Sequence, residues 1–238
     1  MDADTEPRKL VEYARDRLRD AILTNALPAS ASFSQVQLAR EFGISRTPLR
    51  EAVRLLEYEG LATVQFNKRV TVAAVSPADL DSLYAARITL EAMAIHAKVP
   101  TMSAECLAAS RARLQRMDQA VQERDFAQWS VVHRDFHFGL TAGMGSRYDQ
   151  QIQHYFDHAQ RYRHLYVAHS SINWERSSAE HEALQAACEA GDRARAAHLL
   201  AEHYASTALG VLAELSPGHV PALINAARVM ARSLVFAP

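Results

Sequence analysis

The sequence predicts a mainly α-helical protein in two parts: a small unit of short helices closed by a β-hairpin, then an antiparallel all-helical bundle. Three observations predict it. Apolar residues recur at 3–4 spacing through most of the 238 residues, as helices with one buried face require. One stretch, "LATVQFNKRVTVAAV" (61–75), is instead rich in β-branched residues around a polar Asn67-Lys68-Arg69 tip, the pattern of a hairpin. Gly and Pro, 8 of each, act mainly as punctuation between the periodic runs.

Bulk properties exclude several classes. An apolar content of 49% supports a real core. There is no apolar run of the ~18 residues that a membrane helix needs, and "MDADTEPRKL" lacks the apolar segment of a signal peptide. Cys106 and Cys188 fit no disulfide or zinc-knuckle spacing. A cytoplasmic protein is expected. The net charge of −1 argues against nucleic acid as a partner, but the charge is uneven. Residues 8–72 carry 11 Lys/Arg against 7 Asp/Glu, while 73–238 carry 15 against 17. A DNA contact belongs in the first third.

The elements follow in order. A first helix occupies "LVEYARDRLRDAILTNAL", ending before Pro28. A short helix, "QLAREF", is separated by Gly43 from a longer one in "SRTPLREAVRLLEYEG". Gly60 suits the C′ position of that helix, and Ser45 suits its N-cap. Leu38, Ala39, Phe42, Ile44, Leu49, Val53 and Leu56 supply the core. Helix, helix, glycine turn, helix and hairpin make a winged helix-turn-helix over residues 1–75. Arg46, Thr47, Arg50 and Arg54 are left on the outer face, where a recognition helix meets base edges and phosphates. Lys68 and Arg69 at the hairpin tip complete the candidate DNA-binding set.

Ser76-Pro77 starts the second part, with Ser76 as cap and Pro77 in the first turn. Helices are expected over 77–98, 103–123, 125–142, 147–168, 175–190 and 192–214, broken at Pro100, Gly143-Met144-Gly145, Ser170-Ser171 and Gly191. Residues 216–238 form a helical extension with an apolar stripe of Val220, Leu223, Ile224, Ala227, Met230 and Leu234. That stripe is expected to pack on the bundle or across a dimer.

Histidine placement is the chemical signal. In "HRDFH", His133 and His137 share the stripe of Trp129, Val132, Phe136 and Leu140. His181 aligns with Leu184 and Cys188, and His203 with Ala196, Leu199 and Leu200. Four imidazoles thus point inward from three helices. A lone core histidine is commonly just a satisfied polar group. Four on core stripes need partners together, and a metal supplies them. His154 and His158 form a rival pair, with Arg161 on the same face, and that face is expected to be solvated or an interface. Arg161 or Arg163 could reach an anion in a pocket, while His164, His169, His198 and His219 read as surface.

Two stretches resemble known families. "SRTPLREAVRLLEYEGL" is similar to the recognition helix of GntR-family bacterial transcription regulators, over about residues 10–72. Pro28-Ala29 stands where that family usually has Pro-Gly, and Asn67-Lys68-Arg69 where its wing commonly has Asn-x-Gly. Residues 77–215 resemble the FCD effector domain of the FadR subfamily, through "YAARITLEAMAIHAKV", with Arg87 and Glu91, and through "HRDFHFGL", "EHEAL" and His203. The resemblance implies a ligand-responsive regulator, a homodimer on a pseudo-palindromic DNA operator, with no membrane partner. It implies a divalent transition metal, zinc or nickel first, held by one Asp and three His. Matched here, these are His133 in place of the Asp, then His137, His181 and His203; His133 could ligate, giving four His, or leave three protein ligands and bind effector instead. Arg87 is the expected anchor for a small carboxylate effector. Two rivals stand beside this reading. One is a repressor whose signal is the metal itself. The other is a helical metalloenzyme using Glu182 or Asp135 as acid/base, which would leave the reader domain without a role.

Overall fold

A computed structural model describes the backbone of residues 5–65, 69–166 and 171–233, and the side chains of 9–65, 69–163 and 177–233. The chain divides into two compact units, Met1–Val75 and Ser76–Pro238.

The first unit contains α1 (Thr5–Leu23), β1 (Ser32–Ser34), α2 (Gln35–Glu41), α3 (Arg46–Tyr58), β2 (Ala62–Val64) and β3 (Arg69–Val72). In α3, Leu49, Ala52, Val53 and Leu56 are buried at helical spacing. They meet Ala14, Leu18 and Ile22 of α1, Leu38 of α2, and Val70 and Val72 of the sheet. Gly43 takes φ +66° between α2 and α3, and Gly60 takes φ +72° after α3, conformations that favour glycine. Ser34 caps α2, its hydroxyl accepting from Gln37 N at 3.0 Å. Ser45 occupies the N-cap of α3 without a side-chain cap bond, contrary to the expected hydroxyl cap.

The hairpin is joined by a third strand that the sequence did not reveal. β3 is central, pairing antiparallel with β1 (Phe33 opposite Val70) and with β2 (Val64 opposite Val70). Three residues, "SFS", are too few to show an alternation. The turn before β1 closes with Ala31 N on Pro28 O at 3.1 Å. Its positive φ, +64°, falls on Ser30. Ala29 therefore avoids the left-handed region, and the missing glycine there adds no strain.

The second unit runs α4 (Pro77–Lys98), a 3₁₀ turn (Val99–Thr101), α5 (Ala104–Gln122), α6 (Phe126–Thr141), α7 (Ser146–Tyr166), α8 (Ser171–Glu189), α9 (Arg193–Leu215) and α10 (Ala222–Ser233). Ser76, Ser103, Asp125 and Asp192 each cap a helix through the side chain. α4 is the hub, packed against α6, α7, α9 and α10. It buries residues around most of its circumference, including Leu80, Tyr84, Arg87, Ile88, Glu91 and Ile95. Lys98 Nζ closes the end of α6, donating to Gly139 O at 2.7 Å and Ala142 O at 2.6 Å. A cation there complements the helix dipole.

α10 packs on α4 and α9 within the chain. Only part of the expected stripe faces inward. Ile224, Ala227 and Ala231 are buried, whereas Val220, Leu223 and Met230 are exposed. Val220 precedes the helix, and the helical phase that buries Ile224, Ala227 and Ala231 leaves Leu223 and Met230 on the flanks. Leu234 lies outside the described residues. Both cysteines are free.

Candidate functional site

On α3 the buried face fixes what is left outside. Arg46, Thr47, Arg50 and Arg54 are all exposed. They line one shallow groove with Gln35, at the start of α2, and with Glu57 and Val64. Arg50 Nε and Arg54 Nη1 flank the Glu51 carboxylate at 3.4 and 3.1 Å. Such exposed pairs contribute about 0–1 kcal/mol, little enough to yield to a phosphate. Arg69 starts β3 and is tied to Ser32, with Nη2 donating to the carbonyl at 2.6 Å and Nε to Oγ at 3.0 Å. Asn67 and Lys68 lie outside the described residues.

The second site is inside the bundle. α6 carries His133 and His137 on its buried face, α8 brings His181 and α9 brings His203. All four are buried, with a potential ligand nitrogen from each lying within 4.8 Å of the others. His137 Nε2 is 3.1 Å from His133 Nε2 and 3.0 Å from His181 Nε2. Tetrahedral zinc with bonds of about 2.0–2.1 Å sets its nitrogens about 3.3–3.4 Å apart. The nearest pairs are within a few tenths of an ångström of that separation. Burial holds His133, His137 and His181 well below the ordinary imidazole pKa, and the neighbouring imidazoles and cations add to it. Neutral imidazole is the ligating form.

The outer nitrogens matter as much. His137 Nδ1 lies 3.1 Å from the Tyr204 hydroxyl, which donates to Glu91 Oε2 at 2.5 Å. His203 Nδ1 is 2.7 Å from Glu180 Oε2, and His181 Nδ1 is 3.3 Å from Ser177 Oγ. His133 stacks on Trp129, ring centroids 4.4 Å apart, and its Nδ1 has no hydrogen-bond partner among the described residues.

Two cations border the cluster. Arg87 is wholly buried; its Nε donates to Glu91 Oε1 at 2.9 Å. Its guanidinium lies 4.0 Å from the Tyr204 ring centroid and 4.8 Å from that of Phe156. The Arg163 guanidinium lies 4.3 Å from the same Phe156 centroid. Arg87 Nη1 and Nη2, and Arg163 Nη2, are buried without a hydrogen-bond partner among the described residues. Burial works most strongly against the Arg87 charge, but Glu91, Tyr204 and Tyr84 together outweigh it and the pKa rises. Among the described residues Arg163 has no carboxylate partner. Burial, reinforced by the Arg87 charge, lowers it to about 10.

The other candidates fall elsewhere. His154 and His158 adjoin each other, ring centroids 4.4 Å apart, outside the four-histidine group. Arg161 is buried, against the expectation of a solvated or interface face, while His154 and His158 on the same face are partly buried. Asp135 is exposed, and Glu182 pairs with Arg111 at the surface. His219 is partly buried beside Asp81, and His198 Nδ1 is buried, so neither is a plain surface group. His164 and His169 lie outside the described side chains. Sequence reasoning missed Tyr204, Ser177 and Glu180. The available signal was position: Tyr204 follows His203 directly, and Ser177 precedes His181 by one turn.

A winged helix followed by a helical domain with a polar, enclosed centre defines a transcription regulator. The chain belongs to the GntR family of bacterial regulatory proteins: residues 10–72 match that family and residues 82–206 match the FCD domain. It is 31% identical to the Escherichia coli transcriptional repressor GlaR over 176 residues, covering 70% of this chain and 79% of GlaR. It is also 31% identical to the uncharacterized regulator BphR of Paraburkholderia xenovorans, covering 84% of each. The solved structure of E. coli McbR/YncC superposes with a TM-score of 0.76 at 25% identity, covering 86% of this chain and 98% of that one. These relatives are transcription regulators, not enzymes. Among the described residues no helix is long and apolar enough to cross a membrane.

Proposed function

We propose that this DNA-binding regulator is ligand-responsive, and that its effector domain takes a small organic acid at a histidine-held divalent metal. The observation that carries the reading is the convergence of four buried imidazoles within 4.8 Å. The donor set fits: neutral nitrogen ligands suit zinc or nickel. His137, His181 and His203, with His133, would hold the ion, which supplies a Lewis-acidic positive centre when bound. The surrounding residues argue for an anion. A divalent ion with Arg87 and Arg163, set against Glu91 and Glu180, leaves a net positive pocket. The unpartnered guanidinium nitrogens of Arg87 and Arg163 are buried donors that a carboxylate would satisfy. His133 in place of a carboxylate removes one negative charge and sharpens that preference.

On the DNA side, Arg46, Thr47, Arg50 and Arg54 would read a pseudo-palindromic operator as a homodimer, in the cytoplasm, with Lys68 and Arg69 reaching from the wing. The alternative is that the metal alone is the signal. Titrating operator binding with zinc or nickel, then adding carboxylates, separates the two. A response to acid only in metal-loaded protein supports the proposal. A full response to metal alone supports the alternative. Protein purified without a His tag should carry about one transition metal per chain. His181→Ala should remove it.

A further inference from the structure

Resting on the metal reading, we infer that Tyr204 and Glu180 are positioning groups that present the Nε2 lone pairs of His137 and His203 to the ion, and that His133 is the dispensable fourth ligand.

Arg87 Nε donates to Glu91 Oε1 at 2.9 Å, which keeps that carboxylate an acceptor. Glu91 Oε2 receives the Tyr204 hydroxyl proton at 2.5 Å. Tyrosine has one proton to give. Its second contact, to His137 Nδ1 at 3.1 Å, therefore runs the other way, with Nδ1–H donating to the Tyr204 oxygen. A neutral imidazole carries one N–H, so His137 Nε2 is a bare lone pair. It is the atom that faces both His133 Nε2 and His181 Nε2. His203 follows the same logic. Glu180 accepts, so at 2.7 Å the His203 Nδ1 carries a proton, and in the neutral ring that ligation requires, Nε2 is then bare. Ser177 can donate to or accept from His181 Nδ1, so it fits either form.

His133 differs. Its Nδ1 is buried with no partner among the described residues. Ligation through Nε2 puts a proton on Nδ1, and that buried donor finds no acceptor, a cost the other three avoid. Without metal, His133 can instead donate Nε2–H to the His137 lone pair. Among the described residues the histidine that stands where a carboxylate was expected has no supporting group, and carboxylate–histidine or hydroxyl–histidine support is what raises ligand basicity and fixes ring orientation.

Long-range ¹H–¹⁵N spectra of full-length, metal-free, ¹⁵N-histidine-labelled protein test the tautomers directly. His137 and His203 should be Nδ1–H. Cobalt(II) and zinc titrations against a competing chelator then test the ligand roles. Tyr204→Phe and Glu180→Gln should each weaken binding by roughly 10–100-fold. His133→Ala should weaken it less than either, yet change the visible spectrum of bound cobalt. His181→Ala should abolish binding. Circular dichroism and melting of the metal-free variants check folding, and the half-exposed Glu180 serves if Tyr204→Phe is unstable. Nε2–H tautomers at His137 and His203 overturn the inference. So does a His133→Ala loss equal to that of His181→Ala with the positioning variants neutral, an outcome that leaves the metal reading intact. If the wild type binds neither metal, the metal reading fails and the ligand roles with it, and the metal-free spectra still decide the positioning claim.

Discussion

Three imidazoles sit where water cannot solvate their cations, and pH is the variable that exposes the consequence. His133, His137 and His181 have pKa values well below the ordinary 6.5, chiefly through burial. Below that value the unfolded chain takes up protons that the folded chain refuses, so stability falls with falling pH. Metal-free protein should lose stability progressively once pH drops below about 6.5, with a slope approaching three protons per chain. Urea unfolding at several pH values reads the slope. A rise in stability on acidification would mean that the cluster holds imidazolium. On the DNA side, Arg46→Ala should cost roughly 1–3 kcal/mol and relax base preference at one position per half-site. Arg54→Ala should weaken all sequences about equally and flatten the salt dependence. Quantitative footprinting at two salt concentrations distinguishes them, and an unchanged operator preference in Arg46→Ala would remove α3 from the role of reader.

At the scale of elements, some helices announce themselves and others do not. α3 was legible because Leu49, Val53 and Leu56 at helical spacing, with arginines between them, repeat a strongly amphipathic pattern. The α10 interface was only half legible. Its buried face is Ile224, Ala227 and Ala231, and alanine gives a weak hydrophobic signal. Its anchor is Asp81 on α4, whose Oδ1 accepts from Ile224 N at 2.9 Å and Oδ2 from Leu223 N at 3.2 Å. A carboxylate more than 140 residues away thus does what a local N-cap does elsewhere. Nothing in the sequence near residue 222 marks that. Asp81→Ala should cost about 1–2 kcal/mol, the range for loss of a helix cap, and should loosen α10. Hydrogen exchange at Leu223 and Ile224 measures it. Unchanged protection there would mean that packing alone holds the helix.

For the whole molecule, the proposed metal joins α6, α8 and α9, so its energetic effect should be global. At about 100 times its dissociation constant, a ligand that binds only the folded state adds roughly 2.7 kcal/mol. Zinc or nickel should raise the melting temperature, chelator should reverse the rise, and His181→Ala should abolish it. No shift on adding either metal would leave the four histidines as a polar pocket for the effector. The amino-acid sequence alone determined the helical class, the division near residue 75, the exposed arginine face of α3 and the four inward histidines, because each depends on spacing within one element. Tertiary structure decided the rest. The groups that face the outer nitrogens of His137 and His203, namely Tyr204 backed by Glu91, and Glu180, come from three different helices. The burial of Arg87 and Arg163 with unpartnered ends, the third strand β1 and the Asp81 anchor are likewise meetings of residues far apart in the chain. Hydrogen-bond direction is set by which donors and acceptors the packing brings within about 3 Å, and local periodicity carries no record of that.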